Sequence, residues 1–177
     1  MPQQTRELLE AIMAGQQITT DELDDLLRNR VSEDLFLDYK HGNELLDKKK
    51  GSSTIRQYLS AFANSAGGVL IIGVDEHNWD ITNCVAPGGG DLAIWAASCL
   101  TPIAPYFSPP PRFQVVKHPK GDVLIAATER SLGLVPCIEA GEFVYYLRFH
   151  DQTLSNKTLR APEYLIADLV LGRRQQP

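Results

Sequence analysis

The sequence predicts an α+β fold in which a mixed central sheet is flanked by helices, and two stretches carry that prediction. In the first, apolar residues recur at helical spacing from position 55 to 63, and residues 69–74 then form a short, almost wholly apolar run typical of a buried strand. In the second, residues 113–117 and 123–127 are two short runs joined by Pro119-Lys120-Gly121-Asp122, which favours a hairpin. A chain of 177 residues with this mixture predicts a single domain.

Composition excludes few functions by itself. The chain is 44% hydrophobic and 22% charged, with a net charge of −5, and it lacks an apolar run long enough to span a membrane. The first 34 residues hold eight acidic and three basic residues, so the remainder is neutral and could still present a basic surface to nucleic acid. Cys84, Cys99 and Cys137 are widely spaced, which argues against zinc and predicts reduced thiols. Because the N-terminus also lacks the features of a signal peptide, we expect a cytoplasmic protein without a membrane partner.

We divide the chain into three parts. Residues 1–30 form an acidic arm with two short amphipathic helices, residues 31–172 form the main domain, and residues 173–177 form a basic tail. The acidic arm is expected to pack on the main domain or on a second subunit. Entry into a DNA groove is disfavoured because phosphate would repel so acidic a surface.

The polar segment 41–52 precedes the central helix, which we expect to begin after the capping residues 52–54. The segment contains Lys48, Lys49 and Lys50. One interpretation is an ordinary solvated lysine run. The other is a phosphate-binding site, because the free N–H groups of a helix N-terminus attract anions.

Two strands carry further charges. Residues 35–40 alternate, which puts Asp38 and Lys40 on one face. Glu33 precedes Asp38 by an odd offset and could join it only from a preceding turn or across a bulge. In the strand 143–149 the odd-numbered residues are expected to face the core. Arg148 lies on the opposite face, where it would meet a carboxylate or a ligand phosphate.

Three other features remain. Asp75 emerges at the end of the buried strand, a place where side chains are held rigidly at a solvent edge. Trp79 lies in a predicted turn and is either a lid on the core or a stacking surface for a base. The helix 92–100 is apolar on nearly every side and is expected to be deeply buried.

Residues 61–76 resemble the signature of the Schlafen AlbA-like domain. Glu33 followed by Leu37-Asp38-Tyr39-Lys40 is similar to an upstream element of that family. A downstream element is Tyr145-Tyr146-Leu147-Arg148, followed by Thr153 and a final helix with Glu163. The three blocks occur in the family's order over residues 31–170. The resemblance implies a nucleic-acid-binding domain.

The resemblance also implies two site hypotheses. In the first, the acids of the matched blocks could pair with Lys40 and Arg148 as salt bridges that fix the fold, and DNA or RNA is held without cleavage by its phosphates. The basic residues proposed to contact the phosphates are Lys48, Lys49, Lys50, Arg56 and Arg148. In the second, the protein is a metal-dependent endoribonuclease acting on structured RNA such as tRNA. Relatives with ribonuclease activity have an active site of acids at the positions of Glu33, Asp38 and Asp75.

For the endoribonuclease, we expect those acids to bind Mg²⁺ or Mn²⁺, while Lys40 and Arg148 stabilise charge on the phosphate. Asp38 is one methylene shorter than the family's glutamate. No nucleotide cofactor is expected, because there is no phosphate-binding loop of the Walker type. A structural homo-oligomer is a third alternative.

Overall fold

The computed structural model describes residues 2–31, 33–150, 156–161 and 166. Within them the chain forms four α-helices and ten strands, which confirms the α+β class. In chain order these elements are α1 (Gln3–Met13), α2 (Thr20–Arg28), β1 (Leu37–Lys40), α3 (Lys48–Asn64), β2 (Gly68–Ile72), β3 (Val74–Asp75), β4 (Asp80–Ile81), α4 (Leu92–Cys99), β5 (Arg112–His118), β6 (Gly121–Thr128), β7 (Cys137–Glu139), β8 (Glu142–Val144), β9 (Tyr146–His150) and β10 (Asn156–Arg160).

The central sheet has four strands in the order β1-β2-β6-β5. β1 and β2 are parallel, since α3 connects them in a crossover, whereas β6 runs antiparallel to both β2 and β5. The sheet is therefore mixed, and β5–β6 is the hairpin that the turn residues predict. β1 lies at one edge of the sheet, where Glu33 and Asp34 rather than another strand meet the outer side of its backbone.

Helices cover both faces of the sheet. α3 and α4 pack on one face, in a core that includes Ile55, Leu59 and Phe62. α1 and α2 pack on the other, where Leu8, Leu23 and their neighbours meet the sheet. The acidic arm thus packs on the main domain of its own chain.

The start of α3 differs from the expectation. The helix begins at Lys48, and the Asp47 carboxylate caps it by accepting hydrogen bonds from the N–H groups of Lys49 and Lys50 at 2.8 and 3.1 Å. Gly51 is therefore inside the helix. A Cβ at this position would lie 3.1 Å from Leu45 Cα, so the glycine serves close packing.

Two predictions of burial are wrong. In α4 only Leu92, Ala96 and Cys99 are buried and Ile94 is 71% exposed, because only one side of the helix packs against the core. The strand predicted at 143–149 is interrupted at position 145, between β8 and β9. Its even-numbered residues do not face away from the core: Val144, Tyr146 and Arg148 are buried, whereas Phe143 is exposed, and of the residues predicted to face the core Leu147 is buried. The even-numbered side is buried because it packs against α3 and β7.

Some sequence predictions lie outside the described residues. They concern Thr153, Glu163 with most of the final helix, and the basic tail at 173–177. Within the described part of the chain, none of the helices combines the length and the apolar character that a membrane span requires.

We predict that Leu23→Ala lowers the free energy of unfolding by about 2–5 kcal/mol, because Leu23 is fully buried between the arm and the sheet. Urea unfolding would measure the change. Leu132→Ala is the control, since Leu132 is 84% exposed and its truncation should change stability by less than about 0.5 kcal/mol. Equal stability of the Leu23→Ala variant and the parent would show that the arm contributes nothing to the fold.

Candidate functional site

The outer edge of β1 brings together four of the predicted site residues, Glu33, Asp38, Lys40 and Arg148. Leu37 and Tyr39 point into the core beneath the arm, as the alternation predicts. Glu33 reaches the strand from the segment before it, where its Oε1 accepts a hydrogen bond of 2.8 Å from the Tyr39 N–H. The Glu33 carboxylate thus takes the place of a neighbouring strand, which answers how it joins Asp38 despite the odd offset.

Asp38 lies between two cations. Arg148 Nη1 donates a hydrogen bond of 2.7 Å to Asp38 Oδ2, and Lys40 Nζ donates to Asp38 Oδ1. The Asp38 and Arg148 side chains are only 3% and 1% exposed. Each carboxylate oxygen therefore has its own cationic partner, and the pair with Arg148 is shielded from solvent.

Arg148 is held from several sides. Its Nη2 donates a hydrogen bond of 2.7 Å to the Asp34 carbonyl oxygen. The guanidinium carbon lies 5.0 Å from the centre of the Phe62 ring and 5.8 Å from that of Tyr58, within cation–π range. The Arg148 N–H also donates to Ser65 Oγ at 3.0 Å.

Asn64, the neighbour of Ser65, completes this attachment of β9 to α3. Its amide nitrogen donates to the carbonyl oxygens of Val135 and Tyr146 at 2.9 and 3.0 Å. Its amide oxygen accepts from the Val135 N–H at 2.7 Å. Two polar residues of the signature stretch therefore fix the strand that carries Arg148.

Lys40 contacts both Glu33 and Asp38. Its ammonium lies 3.8 Å from Glu33 Oε1 and 4.7 Å from the centre of the Tyr58 ring. Burial alone would lower the pKa of Lys40, but the negative charge of Asp38 leads the contributions that raise it. Lys40 therefore keeps its charge, with much of that charge engaged by carboxylates.

Glu33, unlike Lys40, is shifted toward its neutral form. Burial, followed by repulsion from Asp38, raises the pKa of Glu33 to about 8. The Tyr39 N–H and Lys40 act against the rise, and Glu76 adds to it. A carboxyl group that is mostly neutral near pH 7 is a common feature of functional sites, although ion-pair networks that only stabilise a fold also produce one.

Asp75 is engaged in its own turn. Its carboxylate accepts hydrogen bonds from the His77 N–H at 2.9 Å and from Asn78 Nδ2 at 3.1 Å, in the connection between β3 and β4. The acid that acts on Glu33 from this connection is Glu76, which is exposed. The sequence analysis gave the role of site acid to Asp75 and not to Glu76, although Glu76 directly follows it at the end of the strand.

The predicted metal ligands Glu33, Asp38 and Asp75 do not fit a Mg²⁺ or Mn²⁺ site. Such cations need several carboxylate oxygens free to converge on one point, yet Asp38 is occupied by two cations and Asp75 by two turn donors. In the chain segments that the structure describes, no three His, Cys, Asp or Glu side chains are arranged to hold a metal ion. We therefore derive no chemical step through a metal.

The predicted phosphate contacts divide into two groups. Lys48, Lys49 and Lys50 are exposed on the first turn of α3, and Lys50 Nζ lies 3.0 Å from Glu44 Oε1. Arg56 turns away from them, its Nη1 donating to the Cys99 carbonyl oxygen at 3.4 Å. Two of the N–H groups expected to be free at the start of the helix donate to the Asp47 carboxylate, so this end of α3 attracts anions mainly through its lysines.

We predict that Glu33→Gln makes the protein more stable than the parent above pH 8 and reduces the dependence of stability on pH. The folded parent binds a proton at Glu33 up to about pH 8, whereas an unfolded glutamate releases it near its ordinary value of 4.5. The stability that this proton contributes is therefore present below pH 4.5 and is lost as the pH rises to 8. Urea unfolding of both proteins from pH 5 to 9 would measure it, and parallel curves would contradict the raised pKa.

Comparison with known proteins identifies the family. The family model described as "Schlafen, AlbA_2" matches residues 33–155. A comparison with curated proteins found no match. Among solved structures, the DIP2311 protein from Corynebacterium diphtheriae aligns with a TM-score of 0.55 and 13% identity over 87% of this chain, so the two share a fold.

The chain spans only 27% of that protein's length. A second structure is the N-terminal domain of a protein described as related to the ATP-dependent DNA helicase RecG, from Nitrosomonas europaea. It aligns with a TM-score of 0.38 and 23% identity, covering 63% of this chain and 72% of the other. The match of the family model over most of the chain is the decisive one, and the chain belongs to the Schlafen AlbA_2 family.

Proposed function

We propose that this protein binds nucleic acid through its phosphate backbone, with Lys48, Lys49 and Lys50 as the main contacts. The observation that carries the proposal is the exposure of three consecutive lysines on one helical turn. Lys48 and Lys49 have no carboxylate within ion-pair distance among the described residues, and Lys50, itself exposed, pairs with the half-buried Glu44. Exposed ammonium groups gain binding free energy by releasing counterions from phosphates.

The position of these lysines in the fold supports the proposal. In a parallel β1–α3–β2 unit, the helix begins at the end of the sheet where both strands finish. The three lysines therefore lie at the same end of the sheet as Lys40, the last residue of β1. Ligands of sheets with this kind of crossover commonly bind beyond the carboxyl ends of the strands.

The two arginines contribute less to this proposal than the lysines do. Arg148 could reach a phosphate only by giving up its shielded ion pair with Asp38, which is energetically unfavourable. Arg56 is engaged with the carbonyl oxygen of Cys99. Their charges stabilise the fold, and recognition rests on the exposed residues.

The other hypotheses stay predictions. Cleavage of RNA would need the acids near β1 to be released from their present partners, and no described contact favours that. A homo-oligomer is equally without a specific contact in its favour. We propose a cytoplasmic location, in keeping with three buried cysteines that are all free thiols.

We predict that replacing both Lys48 and Lys49 by alanine weakens binding to a fluorescent oligonucleotide and lowers the steepness of its salt dependence. Loss of two phosphate contacts should reduce the slope of log affinity against log salt by about two. Fluorescence anisotropy over a series of salt concentrations would measure both quantities, with single- and double-stranded DNA and RNA as probes.

The matched control for this experiment is Lys117→Ala, an exposed lysine on β5 that is paired with Asp122. The control should keep the parent's slope. An equal loss in the control would show a general charge effect, and absence of binding to every probe at low salt would overturn the proposed function. Shortened RNA products in the presence of Mg²⁺ or Mn²⁺ would favour the endoribonuclease instead.

A further inference from the structure

A cavity with basic walls lies under the acidic arm, away from the acids of β1. Its volume is about 500 Å³, within the range of ligand pockets. Three connections meet there: the end of α2, the turn between β3 and β4, and the turn between β5 and β6. Its lining is Asp24, Leu27, Arg28, Arg30, Trp79, Ile81, His118 and Lys120. We call it the arm cavity.

Trp79 provides an aromatic wall. The indole is half-buried and meets the Tyr39 ring edge to face, with 5.5 Å between the ring centres. Tyr39 is itself fixed by a hydrogen bond of 3.0 Å from its hydroxyl to the Val31 carbonyl oxygen. Trp79 is thus both a lid on the core, as one sequence interpretation holds, and a partly exposed ring held in place.

The backbone at this cavity is unusual. Arg30 and Trp79 have φ angles of +49° and +58°, a region that bulky residues rarely adopt. Such conformations persist where the surrounding structure requires them and are common at binding sites. Here they place an arginine and a tryptophan on the walls of one cavity.

The basic side chains of the arm cavity are available to a ligand. Arg30 is exposed and has no carboxylate within ion-pair distance in the described part of the chain. Arg28 and Lys120 are exposed, and each makes one surface ion pair, to Asp25 at 2.6 Å and to Asp80 at 3.4 Å. Ion pairs between exposed side chains contribute little and can exchange for a phosphate.

One acid faces the cavity directly. Asp24 lies 3.3 Å from His118 Nε2, and the His118 Nδ1 accepts a hydrogen bond of 3.0 Å from the Lys120 N–H. Because Nδ1 accepts, the proton of a neutral His118 is on Nε2 and points to Asp24. The Asp24 carboxylate therefore faces His118, and the longer side chains of Arg28, Arg30 and Lys120 form the rim of the cavity.

We propose that the arm cavity binds an unpaired nucleotide of a single strand, with the base against Trp79 and the flanking phosphates on Arg28, Arg30 and Lys120. A stacking ring beside a basic rim is the arrangement by which proteins hold single-stranded nucleic acid. This inference rests on the proposed function and specifies its substrate, because a duplex offers no free base to the indole.

The topology lets one strand reach both sites. β6 begins where β2 ends, since the two are antiparallel neighbours, so the turn with Lys120 lies at the same end of the sheet as the first turn of α3. The arm cavity is on the face that α1 and α2 cover, and the lysines of α3 are on the other. A strand that crosses this end of the sheet would contact Lys48 and Lys49 first and Trp79 afterwards, or the reverse.

The fluorescence of Trp79 tests the inference directly. The chain has two tryptophans, so Trp95→Phe leaves Trp79 as the only tryptophan, and excitation at the long-wavelength edge of its absorption selects it over the tyrosines. Titration with an oligothymidylate of about 12 nucleotides, a length that one such site can cover, should quench its emission. An abasic oligonucleotide of the same length and a duplex should not quench it.

Affinity measurements complete the experiment. Trp79→Ala should weaken binding of the oligothymidylate about 10-fold, Trp79→Phe much less, and neither should change binding of the abasic strand. Arg30→Ala should lower the salt slope by about one. Arg112→Ala, which replaces an exposed arginine outside the cavity, is the matched control and should leave the oligothymidylate affinity unchanged.

Two results would separate failure of this inference from failure of the proposed function. Unchanged Trp79 emission at saturating oligothymidylate, with the lysine variants still weakening binding, would overturn the arm cavity alone. Equal quenching by the duplex would also overturn it, because stacking would then not be the cause. Absence of binding by any oligonucleotide at low salt would overturn both proposals. The emission test does not depend on whether Trp79→Ala folds.

Discussion

The buried pair of Asp38 and Arg148 joins the edge of the central sheet to β9, and much of the remaining structure follows from it. A guanidinium that is 1% exposed needs a negative partner and further hydrogen-bond acceptors, since an unpaired buried charge is strongly destabilising. Asp38 provides the charge and the Asp34 carbonyl oxygen provides an acceptor. Ser65 then fixes the backbone of the arginine. Asp38 and Arg148, which the sequence suggests as catalytic residues, therefore act together as a structural joint between β1 and β9.

The same pair determines how charge is distributed over the surface. The negative charge of Asp38, kept in place by Arg148 and Lys40, helps to raise the pKa of Glu33. Asp38 engages the charges of Arg148 and Lys40, whereas the cations of α3 and of the arm cavity face solvent. An overall acidic protein can thus present two basic surfaces at one end of its sheet, and binding without cleavage is the simpler consequence of this arrangement.

Local patterns in the sequence predicted the sheet, the hairpin and the shared face of Asp38 and Lys40, because alternation depends only on neighbours along one strand. Local patterns failed where contacts between distant segments determine which residues are buried or where an element begins. Gly51 lies before the predicted start of α3, yet it is inside the helix because it packs closely against Leu45. The buried face of the strand at 143–149 depends on its packing against α3. Glu33 could reach Asp38 only because the chain turns back on itself, a feature that offsets in sequence leave open. The arm cavity joins residues from three connections, so no single stretch indicates it.

A double-mutant cycle on Asp38 and Arg148 tests the structural joint most directly. Asp38→Asn and Arg148→Met should each lower the free energy of unfolding by about 3–5 kcal/mol, since each removes one side of a buried ion pair and leaves the other side with fewer partners. The double variant should lose less than the sum of the two, with a coupling of about 1–3 kcal/mol measured by urea unfolding. Additive losses, or an Arg148→Met variant that is as stable as the parent but no longer binds an oligonucleotide, would contradict a structural role and return Arg148 to the binding surface.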